Sequence, residues 1–241
     1  MSLPVFLSDD DLTAGRVALR GTEGRHAADV RRIAVGEQVQ LVDGRGTRAT
    51  GTVVAVVSGG LDVEVAVRVR EEAPVPRIVL AQALAKGERG ELAVELATEV
   101  GVDEVVPWAA ERCVVRWEGE RGERARARWA SAAREAAKQS RRAWVPEVGP
   151  AVSTRELAAR LAGTRGLVLH EAAAGPLTEE DLAGLSEVVL VVGPEGGIGS
   201  AELAVLEAAG GRPVRLGPTV LRTSTAGAVA VAALSVRLRR W

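Results

Sequence analysis

The chain has 241 residues, 47% of them hydrophobic, a formal net charge of −1 and one cysteine, Cys113. That length allows one large or two modest domains with a proper core. The lone cysteine, inside the apolar run CVV, excludes an internal disulfide and a cysteine-rich zinc site and reads as a buried thiol. The N-terminus MSLPVFLSDDDL carries acids where a secretion signal carries bases, and no apolar run approaches the roughly 18 residues of a membrane span, so a cytoplasmic protein is expected. The 29 arginines against two lysines, Lys86 and Lys138, and the absence of asparagine and tyrosine fit a GC-rich genome.

Residues 1–70 read as a small β-rich domain. The segment Arg25–Ile33 is helical in pattern. QVQLVDG, 38–44, alternates apolar and polar and ends in a turn signal. TGTVVAVV, 50–57, runs to a Gly59-Gly60 turn, and LDVEVAVRV, 61–69, alternates at period two. Strands in such close succession predict a compact barrel with short hairpins. EEAPVPR, 71–77, is charged, and each of its prolines disfavours helix in the residue before it; it is the expected linker. Over 78–241 strands and helices alternate: strand 78–84, helix 88–101 stopped by Gly101, a short strand DEVVPW, a long alanine-rich helix 123–142, three strands LVLHE, VVLVVG and PVRLG, and a closing apolar helix with a basic end. That alternation predicts an α/β domain around a parallel sheet with helices on both faces.

Two loops at strand ends carry the functional signal. GPEGGIGS, Gly193–Ser200, follows the strand EVVLVV, and LGPTVLRTSTA, Leu216–Ala226, follows the last strand. Ligands of open α/β sheets bind at the carboxyl edge, where such loops lie. A Walker A loop needs a lysine that neutralises phosphate, and none is near; the dinucleotide glycine spacing fails, and Glu195 would repel pyrophosphate. Glycines here let backbone N–H and C=O groups approach a ligand closely, which suits an adenine, a ribose or an amino-acid moiety; an ordinary strand-to-helix turn is the plain alternative. Arg222 stands beside this cleft, and Thr223, Ser224 and Thr225 are candidate N-caps for the final helix. His170 ends the strand LVLHE, where it can line the cleft; with His26 it makes no credible metal site. Between Glu111 and Arg142 ten basic residues face five acids, a local +5, which fits either a phosphate backbone or a solvated arginine-rich face.

GPEGG after an apolar strand, followed by LG-P-x-x-LR-T-x-TA, resembles the RsmE family of bacterial 16S ribosomal RNA uridine-N3 methyltransferases in the SPOUT superfamily. The likeness extends along nearly the whole chain. HAADVRRIAVGEQVQLVDG is similar to the family's N-terminal stretch, with Arg32 at its arginine. LAKGERGELAVELATEVGVDEVVPWAAERCVV matches the middle block with Lys86, Glu99, Gly101, Pro107 and Arg112, and REAAKQSRRAWVPEV the next with Glu135, Gln139, Arg142 and Pro146. Two positions depart: Ser224 stands where the family has glutamate, and Leu96 where it has lysine.

The resemblance implies a PUA-like β-barrel RNA-binding domain (1–70), a linker (71–77) and a SPOUT methyltransferase domain (78–241) with a deep trefoil knot. It implies S-adenosylmethionine as methyl donor, held by Leu169, His170 and Glu171, by Val192, Gly193, Pro194, Glu195 and Gly196, and by Leu216, Gly217, Val220, Leu221, Arg222 and Thr223. Arg222 is the candidate for stabilising the uracil anion, with Glu195 and His170 as candidate bases. Arg25, Arg32, Lys86, Arg112, Arg116, Gln139 and Arg142 are the expected RNA contacts. The expected partners are 16S ribosomal RNA or the small ribosomal subunit and a second copy of the chain, with no membrane and no metal. A SPOUT enzyme for another base, and a non-catalytic RNA-binding assembly factor, are the alternatives.

Overall fold

The structure, a computed structural model, describes residues 3–241. The chain divides into two compact units: the residues up to Ala73 together with Ala137–Val145, and Pro74–Ala136 together with Pro146–Trp241.

The first unit contains β1 (Val5–Leu7), β2 (Arg16–Leu19), α1 (Gly21–Arg25) running into a π-helical turn (His26–Val30), β3 (Gln38–Val42), β4 (Thr47–Val57) and β5 (Gly60–Arg70). Its sheet has the order β1-β3-β4-β5-β2, with β1 parallel to β3 and the other pairs antiparallel. Period-two alternation sends Val39, Leu41, Val53, Leu61 and Val63 into one core with Phe6 and Leu19. Val57 pairs with Gly60, so the hairpin turn is Ser58-Gly59, with Gly59 at φ +74° as a tight two-residue loop needs.

The sequence places residues 137–145 in the second domain, with 137–142 closing a helix, yet they cluster with the first unit. The contacts give the reason. Lys138 Nζ pairs with Glu23 at 2.9 Å, and both side chains are largely buried. Trp144 donates its indole N–H to the Glu71 carbonyl and receives the Arg70 guanidinium over its ring at 5.2 Å. Gly46 makes room for that ring: a Cβ there would lie 2.6 Å from it.

The second unit contains β6 (Arg77–Ala83), α2 (Arg89–Glu99), β7 (Glu104–Ala109), most of α3 (Gly119–Gln139), β8 (Glu147–Val148), β9 (Val152–Ser153), α4 (Thr154–Leu161), β10 (Arg165–Leu169), a 3-10 turn (Leu177–Glu179), β11 (Glu187–Val192), α5 (Ser200–Ala208), β12 (Gly211–Val214) and α6 (Thr223–Arg237). The sheet is parallel throughout, in the order β12-β10-β11-β6-β7-β8, with β9 also pairing β7. Every residue of Ile78–Ala83 and of Val188–Val192 is buried, so both faces of these central strands are covered. Helix α4 starts at a capping box in which Ser153 and Glu156 hold each other's backbone N–H groups. The amino edge of the sheet is tied by charge: Arg160 grips Glu104 through two bonds of 2.6 and 2.8 Å, and Arg77 approaches the same carboxylate at 3.0 Å. The carboxyl edge is left for a ligand.

Two boundaries differ from the sequence pattern in a way that matters for the site. Strand β12 stops at Val214, so Arg215 to Gly217 belong to the following loop. Helix α6 starts at Thr223, so the threonines read as loop caps are its first turn.

Candidate active site

Three adjacent parallel strands, β12, β10 and β11, deliver three loops to one place. After β10, His170 N–H donates to Val214 O, and the His170 side chain folds into a turn in which Nδ1 accepts the Ala172 N–H at 3.2 Å. After β11, Gly193-Pro194-Glu195-Gly196-Gly197 makes a turn closed by Gly197 N–H to Pro194 O at 2.9 Å. Gly193 must be glycine, since a Cβ would lie 2.7 Å from Ile198 Cγ1. After β12, the Arg215 backbone is clamped by Gly175 O and Leu177 N–H, and Gly217 turns the chain at φ +76°.

These loops enclose a cavity of about 580 Å³. Its lining includes each residue expected from the sequence for the methyl donor: Leu169, His170, Glu171, Val192 to Gly196, Leu216, Gly217 and Val220 to Thr223. It also includes residues the sequence reading missed: Arg89, Gly197, Ile198, Arg215, Pro218, Thr219 and Ala226, together with Arg112, which had been assigned to RNA.

Thr223 locks two of the loops together. Its Oγ1 donates to the Gly193 carbonyl at 2.8 Å and accepts the buried Gln82 Nε2 at 3.0 Å. The expected capping role of Thr223, Ser224 and Thr225 is therefore corrected. Arg222 is the N-cap residue of α6, no side chain caps that end, and Ser224 is buried within the first turn. Thr225 instead donates back to the Arg222 carbonyl.

The cavity is lined by both charge signs. Arg89 pairs with Glu195 at 3.4 Å, and Arg112 donates to the Gly196 carbonyl at 2.9 Å. Arg215, Arg222 and Glu171 also line it and have no side-chain partner among the described residues. Because Nδ1 of His170 accepts the Ala172 N–H, Nε2 is the ring nitrogen left without a partner among the described residues. Among the described residues no cluster of three or more His, Cys, Asp or Glu could hold a metal ion. Among the described residues no helix is long and apolar enough to cross a membrane.

The residues expected to touch RNA fall in both units. Arg25, Arg32, Gln139 and Arg142 belong to the first; Arg32 is held at φ +53°, rare for a non-glycine residue. Lys86, Arg112 and Arg116 belong to the second. Lys86 is exposed, whereas the Arg116 guanidinium donates to the carbonyls of Ala110, Glu111 and Cys113. Burial pushes the Cys113 thiol pKa up, so the thiol stays protonated.

Comparison with known proteins agrees with this architecture. Residues 71–235 match the RNA methyltransferase domain family and residues 19–65 the RNA methyltransferase PUA domain family. A ribosomal RNA small subunit methyltransferase E from Mycobacterium bovis is 47% identical over 98% of this chain and 93% of its own length. The protein of the same name from Bacillus subtilis is 30% identical over 90% of this chain and 89% of its own. The crystal structure of a ribosomal RNA small subunit methyltransferase E from Neisseria gonorrhoeae, solved with S-adenosylmethionine bound, superposes with a TM-score of 0.88 at 29% identity, covering 98% of both chains. The two units are thus the PUA-like and SPOUT-type domains that the motifs implied, and the chain belongs to the ribosomal RNA small subunit methyltransferase E family.

Proposed function

We propose that this protein transfers a methyl group from S-adenosylmethionine to N3 of a uridine in 16S ribosomal RNA. The observation that carries the reading is the cavity at the carboxyl ends of β10, β11 and β12, with two arginines on its wall, Arg215 and Arg222, whose side chains have no partner among the described residues. The donor set suits this cofactor. The volume lies within the roughly 300–1,000 Å³ of small-molecule sites. Val192, Ile198, Leu216, Val220 and Leu221 offer apolar surface, and the glycine-bearing turns at 193–197 and 216–218 bring backbone donors and acceptors close. S-adenosylmethionine supplies an electrophilic methyl group on a positively charged sulfur.

The protein's own residues must position the base and favour its anion. Neutral N3 of uracil carries a proton and is a poor nucleophile; as that proton passes to water or to a cavity acceptor such as His170 or Glu195, negative charge spreads to O2 and O4, and N3 takes the methyl as its bond to sulfur breaks and S-adenosylhomocysteine leaves. Arg222 is mounted at the N-cap of α6 and its side chain has no partner among the described residues, so it can face one of those oxygens. Glu195 is occupied by Arg89 and holds the loop, which leaves Glu171 as the cavity carboxylate able to accept hydrogen bonds from ligand hydroxyls. In-line alignment of N3 with the methyl carbon accounts for much of the acceleration, up to roughly 7–11 kcal/mol in the best intramolecular cases. Arg25, Arg32, Lys86, Gln139 and Arg142 are proposed RNA contacts, and a homodimer is proposed from exposed Leu92 on α2 and Val229 and Val236 on α6.

The test is methylation of small-subunit RNA in vitro with S-adenosylmethionine, followed by mass spectrometry of the nucleosides. 3-Methyluridine is expected. Another methylated base would assign a different target, and no methylated product together with no detectable S-adenosylmethionine binding would leave an RNA-binding assembly factor. Light scattering checks the dimer.

A further inference from the structure

We infer that Glu202 is a positioning residue: it anchors the Ala110–Cys113 turn so that Arg112 latches the Gly193–Gly197 loop in its ligand-binding shape. A glutamate at the third position of a helix commonly reaches back to cap its own helix. Glu202, third in α5 and 6% exposed, does something else. Its Oε1 accepts the Glu111 N–H at 2.9 Å and the Thr154 hydroxyl at 2.6 Å, and Thr154 Oγ1 in turn accepts the indole N–H of Trp108 at 3.2 Å.

The same turn is held from its other side. Arg116 donates to the carbonyls of Ala110 at 3.1 Å, Glu111 at 3.0 Å and Cys113 at 3.0 Å. One carboxylate and one guanidinium thus fix a four-residue turn that has no regular secondary structure of its own. From it Arg112 reaches the Gly196 carbonyl at 2.9 Å, and a Cβ on Gly196 would lie 3.4 Å from Arg112 Cβ. Arg112 and Arg116 resemble RNA-contacting residues by motif, but these donors are directed at backbone carbonyls. Their geometry is that of a brace: β7 and α4 hold Glu202, Glu202 and Arg116 hold the turn, and the turn holds the cavity loop. The second oxygen, Oε2, is buried without a hydrogen-bond partner, so an amide can keep the bonds to Oε1 but loses the charge and buries an unpartnered NH2.

The identity of the ligand rests on the function proposed above; the brace itself does not. The experiment uses the full chain with Glu202→Ala, Glu202→Gln, Arg112→Ala and the double alanine variant. Affinity for S-adenosylmethionine is measured by calorimetry well below the unfolding temperature, and exchange of the Gly197 amide by NMR without ligand. Loss of a charge-assisted anchor predicts about tenfold or more weaker binding for either alanine variant. The double variant should bind no more weakly than the weaker single one, because both interrupt one chain of contacts. Glu202→Gln, which keeps the Oε1 acceptor but not the charge, should fall between wild type and Glu202→Ala, and Gly197 should exchange faster in both alanine variants. Losses that multiply in the double variant, or unchanged Gly197 exchange in Glu202→Ala, overturn the inference. If the wild-type protein itself fails to bind S-adenosylmethionine, the proposed function falls, and Gly197 exchange alone decides the brace.

Discussion

Thr223 and Gly193 lie 30 positions apart, yet a 2.8 Å hydrogen bond from the threonine hydroxyl to the glycine carbonyl fixes the start of α6 against the loop after β11. Gln82, fully buried at the end of β6, donates to the same hydroxyl at 3.0 Å. Replacing Thr223 by valine keeps the shape and removes both bonds in a buried site, at about 1–3 kcal/mol. Lower thermal stability and weaker S-adenosylmethionine binding are expected together, and Thr223→Ser should restore both. Unchanged affinity in the valine variant would show that the tie does not shape the pocket.

Arg222 gives the opposite signature. Its side chain is exposed and has no partner among the described residues, so Arg222→Ala should change stability by no more than about 0.5 kcal/mol. If it stabilises the uracil anion, single-turnover methylation should slow by about 10²–10³, the usual effect of losing one such donor. A full-rate Arg222→Ala enzyme would remove this residue from the chemistry.

Much of the second unit was legible because parallel buried strands announce themselves: EVVLVV became β11 and the apolar run from Ile78 became β6, each nearly as read. The cavity residues were legible because turn glycines and strand ends are local features, and the family motifs sit on them. What escaped depends on distant pairing. Arg89 follows a charged loop, and only the fold brings it to Glu195, 106 positions away. Arg215 was read as part of a strand, although β12 ends one residue earlier. The segment Ala137–Val145 begins within a helical pattern that runs to Arg142, and only the Lys138–Glu23 pair and the Gly46 hollow that receives Trp144 reveal its attachment to the first unit. Strands β1 and β2, of three and four residues, are too short for any periodicity to mark.

Asp62 on β5 offers a pH test of the first unit. Hydrogen bonds from Arg20 and then Arg16 hold its carboxyl below the usual aspartate range. A depressed folded pKa contributes stability above the unfolded value, about 3.9, and loses it as pH falls through the folded value. Both arginines are well exposed, so the contribution is about 1 kcal/mol or less and falls with added salt. Urea denaturation of Asp62→Asn should therefore show a deficit at pH 7 that narrows below about pH 4. Parallel stability curves for the two proteins would mean that the pairs contribute nothing.

Arg215 lines the cavity like Arg222, its side chain has no partner among the described residues, and its backbone is clamped between Gly175 O and Leu177 N–H. A rigid mount with a free guanidinium beside the proposed methyl donor suits contact with a phosphate next to the target uridine. A residue with that role contributes charge but no chemistry. Arg215→Ala should therefore leave S-adenosylmethionine affinity unchanged while weakening RNA binding. Each released phosphate contact lowers the slope of log K against log salt by roughly 0.7–0.9, so the variant's slope should be shallower by about that amount. RNA binding measured across a salt series decides it: an unchanged slope would mean that Arg215 meets solvent rather than phosphate, and the RNA would have to be held by the exposed residues elsewhere, Lys86 among them.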